Sequence, residues 1–343
     1  MKIKLNKIRP YKIVYGSLII LQLFYISQHL LYLKFISKNP ELEASWGTSF
    51  SAPYAESFGL DAKETLESTL KDFKFNQIRI MGYWEDVEPQ PGQYNFNDLD
   101  WQLNLIRSYG RKATITLGLR QPRWPECHQP NWAKDMNYST EWETKLEQFI
   151  SAVVNRYKNN PEVISWQLEN EAKLKTFGDC DKRTLNNKRI EDEFNLVKRL
   201  DSTRPIIMTT SDQYGLTPGE PVPDIYGISI YTNVIVPGTN IKFKYPQMPL
   251  WHGSRAEAIN LTRHREVFIH ELQCEPWGNK PVQNLSLSEQ NETMSADQLK
   301  YNLNYARDIG TKQIDTWGVE WWYWRSAKFN DSSILDTAKE VIN

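Results

Sequence analysis

Short apolar runs rich in β-branched residues alternate with amphipathic stretches of helical period along most of the chain, and the alternation continues to its end. Eight runs read as strands: Ser45 to Ser49, Gln77 to Met81, Ala113 to Leu117, Val163 to Leu168, Pro205 to Thr210, Ile225 to Ile230, Glu266 to His270 and Gln313 to Gly318. Helical stretches fall at Ala62 to Phe73, Asp98 to Tyr109, Trp142 to Tyr157, Asn187 to Leu200, Arg255 to Arg263, Ala296 to Asp308 and Ser333 to Val341. The weak link is Ser211 to Pro223, a Pro/Gly-rich loop with little room for a helix between the fifth and sixth strands. Strand and helix in regular alternation predict a parallel sheet with helical crossovers, and eight units predict an α/β fold of the (β/α)₈ barrel type over residues 45–343. A doubly wound sheet would carry a Gly-rich phosphate loop after its first strand, and Trp46-Gly47-Thr48-Ser49-Phe50-Ser51 is not one.

The pattern breaks at the amino terminus. From Ile13 to Leu33 there are 21 residues with no Asp, Glu, Lys or Arg, close to the roughly 20 needed to cross a bilayer as a helix. Five basic residues precede this stretch and only Lys34 and Lys38 follow it before the first acids, which places the amino terminus in the cytoplasm and the barrel outside it. The competing reading is a cleaved signal peptide with an apolar stretch from Ile13 to Ile26, but no small-x-small cleavage site follows, so an uncleaved anchor is preferred. The expected organisation is a basic cytoplasmic tail at 1–12, a transmembrane signal anchor at 13–33, a linker at 34–44 and the barrel at 45–343.

Charge narrows the partners. The formal charge is -1, but residues 1–40 hold seven Lys or Arg and no acid, so the remainder sets 34 basic residues against 42 acids, about -8. A nucleic-acid partner would want a concentrated basic face. A glycan suits better, since aromatic residues make up 13% of the chain with thirteen Trp, although many of these rings are expected to be core. Cys127, Cys180 and Cys274 have no zinc-site spacing; Cys127 and Cys180 fall in loops on one barrel face, where a bridge and free thiols are both open. His128, His252 and His270 form no metal-binding spacing and are expected at the surface or behind the site.

Two strands end in acids. Val163-Ile164-Ser165-Trp166-Gln167-Leu168 runs into Glu169-Asn170-Glu171, and Val267-Phe268-Ile269-His270 runs into Glu271 about 100 residues later. Carboxylates are costly to bury without a partner or a purpose. On a closed eight-stranded barrel the fourth and seventh strands face each other across the mouth, so two glutamates there can approach to about 5 Å, the spacing of retaining glycosidases, whereas inverting enzymes need about 6.5 Å or more.

With Asn170-Glu171 ending strand four, Glu271 ending strand seven and eight βα units, the chain resembles clan A of the glycoside hydrolases over roughly residues 45–343. This barrel superfamily includes the family 5 cellulases and mannanases and the family 35 and 42 β-galactosidases. The resemblance implies a retaining glycosidase acting on a β-linked oligo- or polysaccharide, with Glu171 as general acid/base, Glu271 as nucleophile and Asn170 as a partner of the sugar 2-hydroxyl. No metal or organic cofactor is implied. Arg79, near the end of strand two, and Tyr231, just after strand six, are placed to stabilise the Glu271 carboxylate, and both positions match the clan. Glu169 is the structural rival of Glu171, with Arg79 as its candidate partner, and Glu275 is the rival nucleophile.

Other rim segments fit a sugar less specifically. Tyr83 to Phe96, with Trp84, Glu88-Pro89 and Pro91-Gly92, resembles a clan loop, while its turn residues also suit a plain scaffold. Arg120 to His128 combines cations, an amide and a Trp. Trp317-Gly318-Val319-Glu320-Trp321-Trp322-Tyr323-Trp324 is expected to supply a stacking floor, with Trp317 foremost and Trp322 beside it. Two alternatives to hydrolysis remain at this level: a transglycosylase, and a non-catalytic glycan-binding barrel at the cell surface.

Overall fold

The computed structural model describes residues 10–41, 43–174, 178–211, 219–236 and 238–343. Successive parallel strands β1 (Ser45–Phe50), β2 (Gln77–Met81), β3 (Lys112–Leu117), β4 (Val163–Leu168), β5 (Ile206–Thr210) and β6 (Ile225–Ile230) pair in chain order. A small antiparallel hairpin follows, β7 (Asn233–Ile235) with β8 (Lys242–Lys244). The barrel then resumes with β9 (Glu266–Gln273) and β10 (Gln313–Trp317), and β10 closes the ring on β1 through Ser45↔Gln313 and Thr48↔Thr316. The expected (β/α)₈ barrel is the observed one.

The apolar pattern explains the layers. Barrel strands are buried on both faces, so β2 and β3 read as near-continuous runs and lie almost wholly inside. The surrounding helices bury one stripe. Thr140–Tyr157 turns Trp142, Leu146, Phe149, Ile150, Val153, Val154 and Tyr157 inward, and Ser139 caps its first turn by accepting from the Trp142 amide. Each such fully buried large side chain contributes roughly 1.5–3 kcal/mol.

Three departures matter for the site. The seventh barrel strand does not stop at His270; β9 runs on to Gln273, with its register shifting against β6 between Ile228 and Ser229 and against β10 between Ile314 and Thr316. No helix joins β5 to β6 among the described residues, while residues 212–218 of that loop lie outside them. Finally, the Trp-rich string after β10 is not an open floor but a helix, Val319–Phe329, capped by Gly318 at φ 114°. Helical spacing carries Trp321, Trp322 and Trp324 into the core.

At the amino terminus a helix spans Pro10–Ile36, and its stretch from Tyr15 to Ile36 is long and apolar enough to cross a membrane, with mean hydropathy 1.4. Lys2, Lys4, Lys7 and Arg9 of the basic tail lie outside the described residues. The last turns of this helix dock on the barrel helix Pro249–Arg263. Ser254 Oγ donates to Gln28 Oε1 at 2.5 Å, and Tyr32 donates to the Asp308 carbonyl while its ring fills the space above Gly253. Lys34 and Lys38 reach the buried Glu257 at 3.3 and 2.5 Å.

Candidate active site

Of the two glutamates singled out from the sequence, Glu171 follows the end of β4 and Glu271 lies near the end of β9, which runs on to Gln273, and each is aimed by a local irregularity. After β4 the backbone turns through Glu169 (φ 55°), Asn170 and Glu171 (φ 48°), left-handed conformations that cost a non-glycine residue about 1 kcal/mol or more. Thr209 on β5 fixes the turn: its Oγ1 accepts from the Glu171 amide at 2.8 Å and donates to Asn170 Oδ1 at 3.2 Å. Gln167 Nε2 donates to the same Oδ1 at 3.1 Å, so the Asn170 amide is oriented with its N–H₂ turned to the other side, where it donates to Glu126 Oε2 at 3.3 Å. In β9 the register shift around His270 lets two consecutive residues face the barrel interior. His270 Nδ1 pairs with Asp315 at 2.7 Å, and Glu271 meets Arg79.

Arg79 is fully buried and spends its guanidinium on Ser49 Oγ (2.7 Å), Gln167 Oε1 (3.1 Å) and Glu271 Oε2 (3.0 Å). Tyr231 Oη donates to Glu271 Oε1 at 2.5 Å. Glu271 therefore has a cation on one oxygen and a phenol on the other, the support expected for an ionised carboxylate. Glu171 differs. Burial, then the nearby Glu271 charge, pushes its pKa up to about 7, against which Ser229 Oγ donates to Oε1 at 2.7 Å. A buried carboxyl that holds its proton to about pH 7, next to a second carboxyl paired with a cation, is the arrangement that acid/base work requires.

Glu169 is not paired with Arg79. It accepts from the Leu119 and Arg120 amides at 2.8 and 3.0 Å and from Arg189 at 2.8 Å, tying the β4 turn to the loop after β3. Glu275 lies in a second charged group: Arg123 reaches Glu275 at 2.5 Å and Glu320 at 2.8 Å, and Tyr54 donates to Glu275 at 3.2 Å. The Arg123 guanidinium lies 3.5 Å from the Tyr54 ring centroid and 3.8 Å from that of Trp317.

The tryptophan expectations need correcting. Trp84 is enclosed against Trp132, Trp142 and Phe149, and its indole N–H donates to Glu88 at 2.8 Å, so neither face is open to a sugar. Glu88 also accepts from Gly92, which makes this loop a scaffold. Trp322 is equally closed, donating to the Cys274 carbonyl at 2.7 Å. Trp317 does reach the mouth beside Met81 and Tyr83, but Arg123 covers its ring and 6% of the residue is exposed. None of His128, His252 or His270 is at the surface: His128 bonds Glu85, and burial lowers the pKa of His252 to about 3. Among the described residues no His/Cys/Asp/Glu group suited to a metal ion occurs.

Sequence reasoning passed over Glu126. It is buried in the loop after β3, its Oε2 accepting from Asn170 Nδ2 at 3.3 Å with Arg120 Nε at 3.6 Å. Burial first, then the charges of Glu171 and Glu271, raise its pKa well above the usual carboxylate range. The available signal was its neighbour: Cys127 bridges Cys180 across 53 residues, and Cys274 is a buried free thiol.

The closed parallel barrel is that of the clan A glycoside hydrolases. More narrowly, the chain belongs to glycosyl hydrolase family 5, whose Cellulase family model matches residues 41–260. A β-galactosidase, BgaH, of Haloferax lucentense is 26% identical over 135 residues, 34% of this chain and 20% of that protein. Beta-galactosidase 12 of rice is 26% identical over 126 residues, 32% of this chain and 14% of its own. The matches thus span a fifth or less of those proteins. Among solved structures, xylanase 10B of Thermotoga maritima superposes with a TM-score of 0.56 at 16% identity, covering 83% of this chain and 85% of that one. Endo-glycoceramidase II from Rhodococcus sp. gives 0.53 at 13% identity over 80% and 72%. At these identities the likeness is one of fold.

Proposed function

We propose that the chain is a retaining β-glycosidase in which Glu271 is the nucleophile and Glu171 the general acid/base. The observation that carries this reading is the unequal environment of the two carboxyls. Glu271 is gripped by Arg79 on one oxygen and Tyr231 on the other, while burial keeps a proton on Glu171 up to about pH 7. In the first step Glu271 attacks the anomeric carbon, and Glu171 passes its proton to the departing glycosidic oxygen; in the second, Glu171 takes a proton from water, which displaces Glu271 and releases the sugar. Asn170 donates to the sugar 2-hydroxyl, and Trp317 borders the pocket. The neighbouring endo-glycoceramidase II is known as a lactosyl-enzyme intermediate on this fold, which supports a covalent route. The substrate is a β-linked oligo- or polysaccharide.

The helix Pro10–Ile36 is assigned as an uncleaved signal anchor with the barrel outside the cytoplasm. Docking of Gln28, Tyr32, Lys34 and Lys38 on the barrel shifts the bilayer-crossing part toward the amino end of the 13–33 stretch. Incubating the full chain in detergent with activated 2-fluoro glycosides of gluco, galacto and manno configuration, then mapping the labelled peptide, tests the chemistry. Label on Glu271 is expected. Absence of label with every probe, together with oligosaccharide binding that survives Glu271→Gln, replaces the enzyme with a glycan-binding barrel. Protease shaving of intact cells tests the orientation, and a protected barrel refutes it.

A further inference from the structure

Glu126 is 4% exposed, yet one of its oxygens is unspent. Oε2 takes the Asn170 and Arg120 contacts, whereas Oε1 accepts no hydrogen bond among the described residues. Oε1 is not sealed off with the rest of this enclosed side chain, so it is the one Glu126 oxygen left to solvent or to a ligand that enters beside Asn170. This loop is built to keep it. Glu126 itself sits at φ 74° and Arg123 at φ 83°, and the turn between them is closed by the Glu126 amide donating to Arg123 O and the Gln121 amide to Glu126 O, both at 2.8 Å. Cys127 is locked to Cys180, and across the seam Gly178 leaves room that any Cβ would take, since it would come within 2.8 Å of Glu126 Cβ.

We infer that Glu126 is a specificity-determining residue whose Oε1 hydrogen-bonds the 3-hydroxyl of the sugar held by Glu271, so that the preferred substrate carries a neutral sugar unsubstituted at O3 in that position. The inference rests on the proposed reading in which Asn170 serves the 2-hydroxyl. The Asn170 amide is oriented by Gln167 and Thr209, and its Nδ2 lies beside Glu126 Oε2. Two polar groups side by side on the protein match two vicinal hydroxyls on the ring. The neighbour of O2 on the side away from the anomeric carbon is O3. Because Oε2 is occupied by donors, a proton retained by Glu126 resides on Oε1 and is donated to O3; if Glu126 is ionised, Oε1 accepts instead. A chain linked through O3 at this residue has no hydroxyl to offer. Three carboxyl groups around one pocket also disfavour an anionic sugar there.

The test is a cycle of protein and ligand changes on the full chain in detergent. Affinity for gluco- and galacto-configured iminosugars and their 3-deoxy analogues is measured by calorimetry for the wild type, Glu126→Ala and Glu126→Gln. In the wild type, loss of the 3-hydroxyl should weaken binding about 10- to 100-fold, the worth of a hydrogen bond to a carboxyl group. Glu126→Ala should erase that difference, and Glu126→Gln, which keeps a polar group in place of Oε1, should restore most of it. An unchanged 3-hydroxyl preference in Glu126→Ala overturns the inference, as does equal weakening of both ligands in Glu126→Gln should the alanine variant not fold. Binding does not require turnover, so a chain that fails to form the 2-fluoro adduct yet shows this pattern loses the hydrolase reading and keeps this one.

Discussion

Two glutamates four residues apart, Glu271 and Glu275, each have an arginine and a tyrosine for company. Glu271 has Arg79 at 3.0 Å and Tyr231 at 2.5 Å; Glu275 has Arg123 at 2.5 Å and Tyr54 at 3.2 Å. What differs is the support beneath them. Glu271 and Arg79 both stand on strands of the closed barrel, β9 and β2, with β10 and β1 between them, and the other two nitrogens of Arg79 go to the neutral Ser49 and Gln167. Arg123 rides on a loop at φ 83° and is divided between two acids, Glu275 and Glu320. The same residue types thus serve two ends. A cation devoted to one strand-borne carboxylate suits chemistry, whereas a cation shared by a loop acid, Glu275, and a helix acid, Glu320, fastens the rim segments together.

The sharpest way to break this comparison is to remove each acid in turn. Glu271→Gln should lower kcat by at least about 10⁴-fold, as loss of a nucleophile or its protic partner does. Glu275→Gln, by contrast, should cost no more than about tenfold, the worth of one weakened charge-assisted hydrogen bond. Steady-state rates on the aryl glycoside that labels fastest measure both. Equal losses would erase the distinction. Next in size, Arg123→Ala leaves Glu275 and Glu320 buried without their cation and should destabilise the fold by about 3–5 kcal/mol in urea unfolding.

Reduction of Cys127–Cys180, or Cys180→Ser, should lower stability by up to about 4 kcal/mol for a loop of 53 residues, and should raise hydrogen exchange in residues 120–128 while leaving β9 protected. The smallest effect is a pH slope. With a pKa of about 7 in the fold, Glu171 loses its proton above neutrality, so kcat/KM should fall roughly tenfold per pH unit there. Its folded value lies above the ordinary 4.5, so the group adds stability below about pH 4.5 and loses that contribution as the pH rises to about 7. Glu171→Gln should flatten this slope in chemical unfolding curves taken across the same range.

The strands were legible because parallel barrel strands are buried on both faces and read as near-continuous apolar runs; β2, β4 and β6 have the boundaries the sequence suggests. Glu171 and Tyr231 drew notice as polar side chains just past such runs, and Arg79 and Glu271 as charges within them, while Asn170 was marked by the family resemblance alone. The tryptophans misled. Trp84 and Trp322 look like binding surfaces when counted by composition, but helix periodicity from Val319 onward turns Trp322 inward and a Glu88 hydrogen bond locks Trp84 in place. Glu126 escaped because nothing local marks a loop acid as buried; its place follows from a disulfide partner 53 residues away.

The junction between the leading helix and the barrel has a mechanical meaning. A flexible tether lets a domain sweep out a dome, with reach growing as the square root of its length. Here Gln28, Tyr32, Lys34 and Lys38 bolt three turns of helix to Pro249–Arg263 and the end of its neighbour at Asp308. Such a joint transmits tilt and rotation instead of absorbing them. Whatever holds the free half of that helix therefore steers the barrel as a handle steers a blade, and fixes the heading of its mouth.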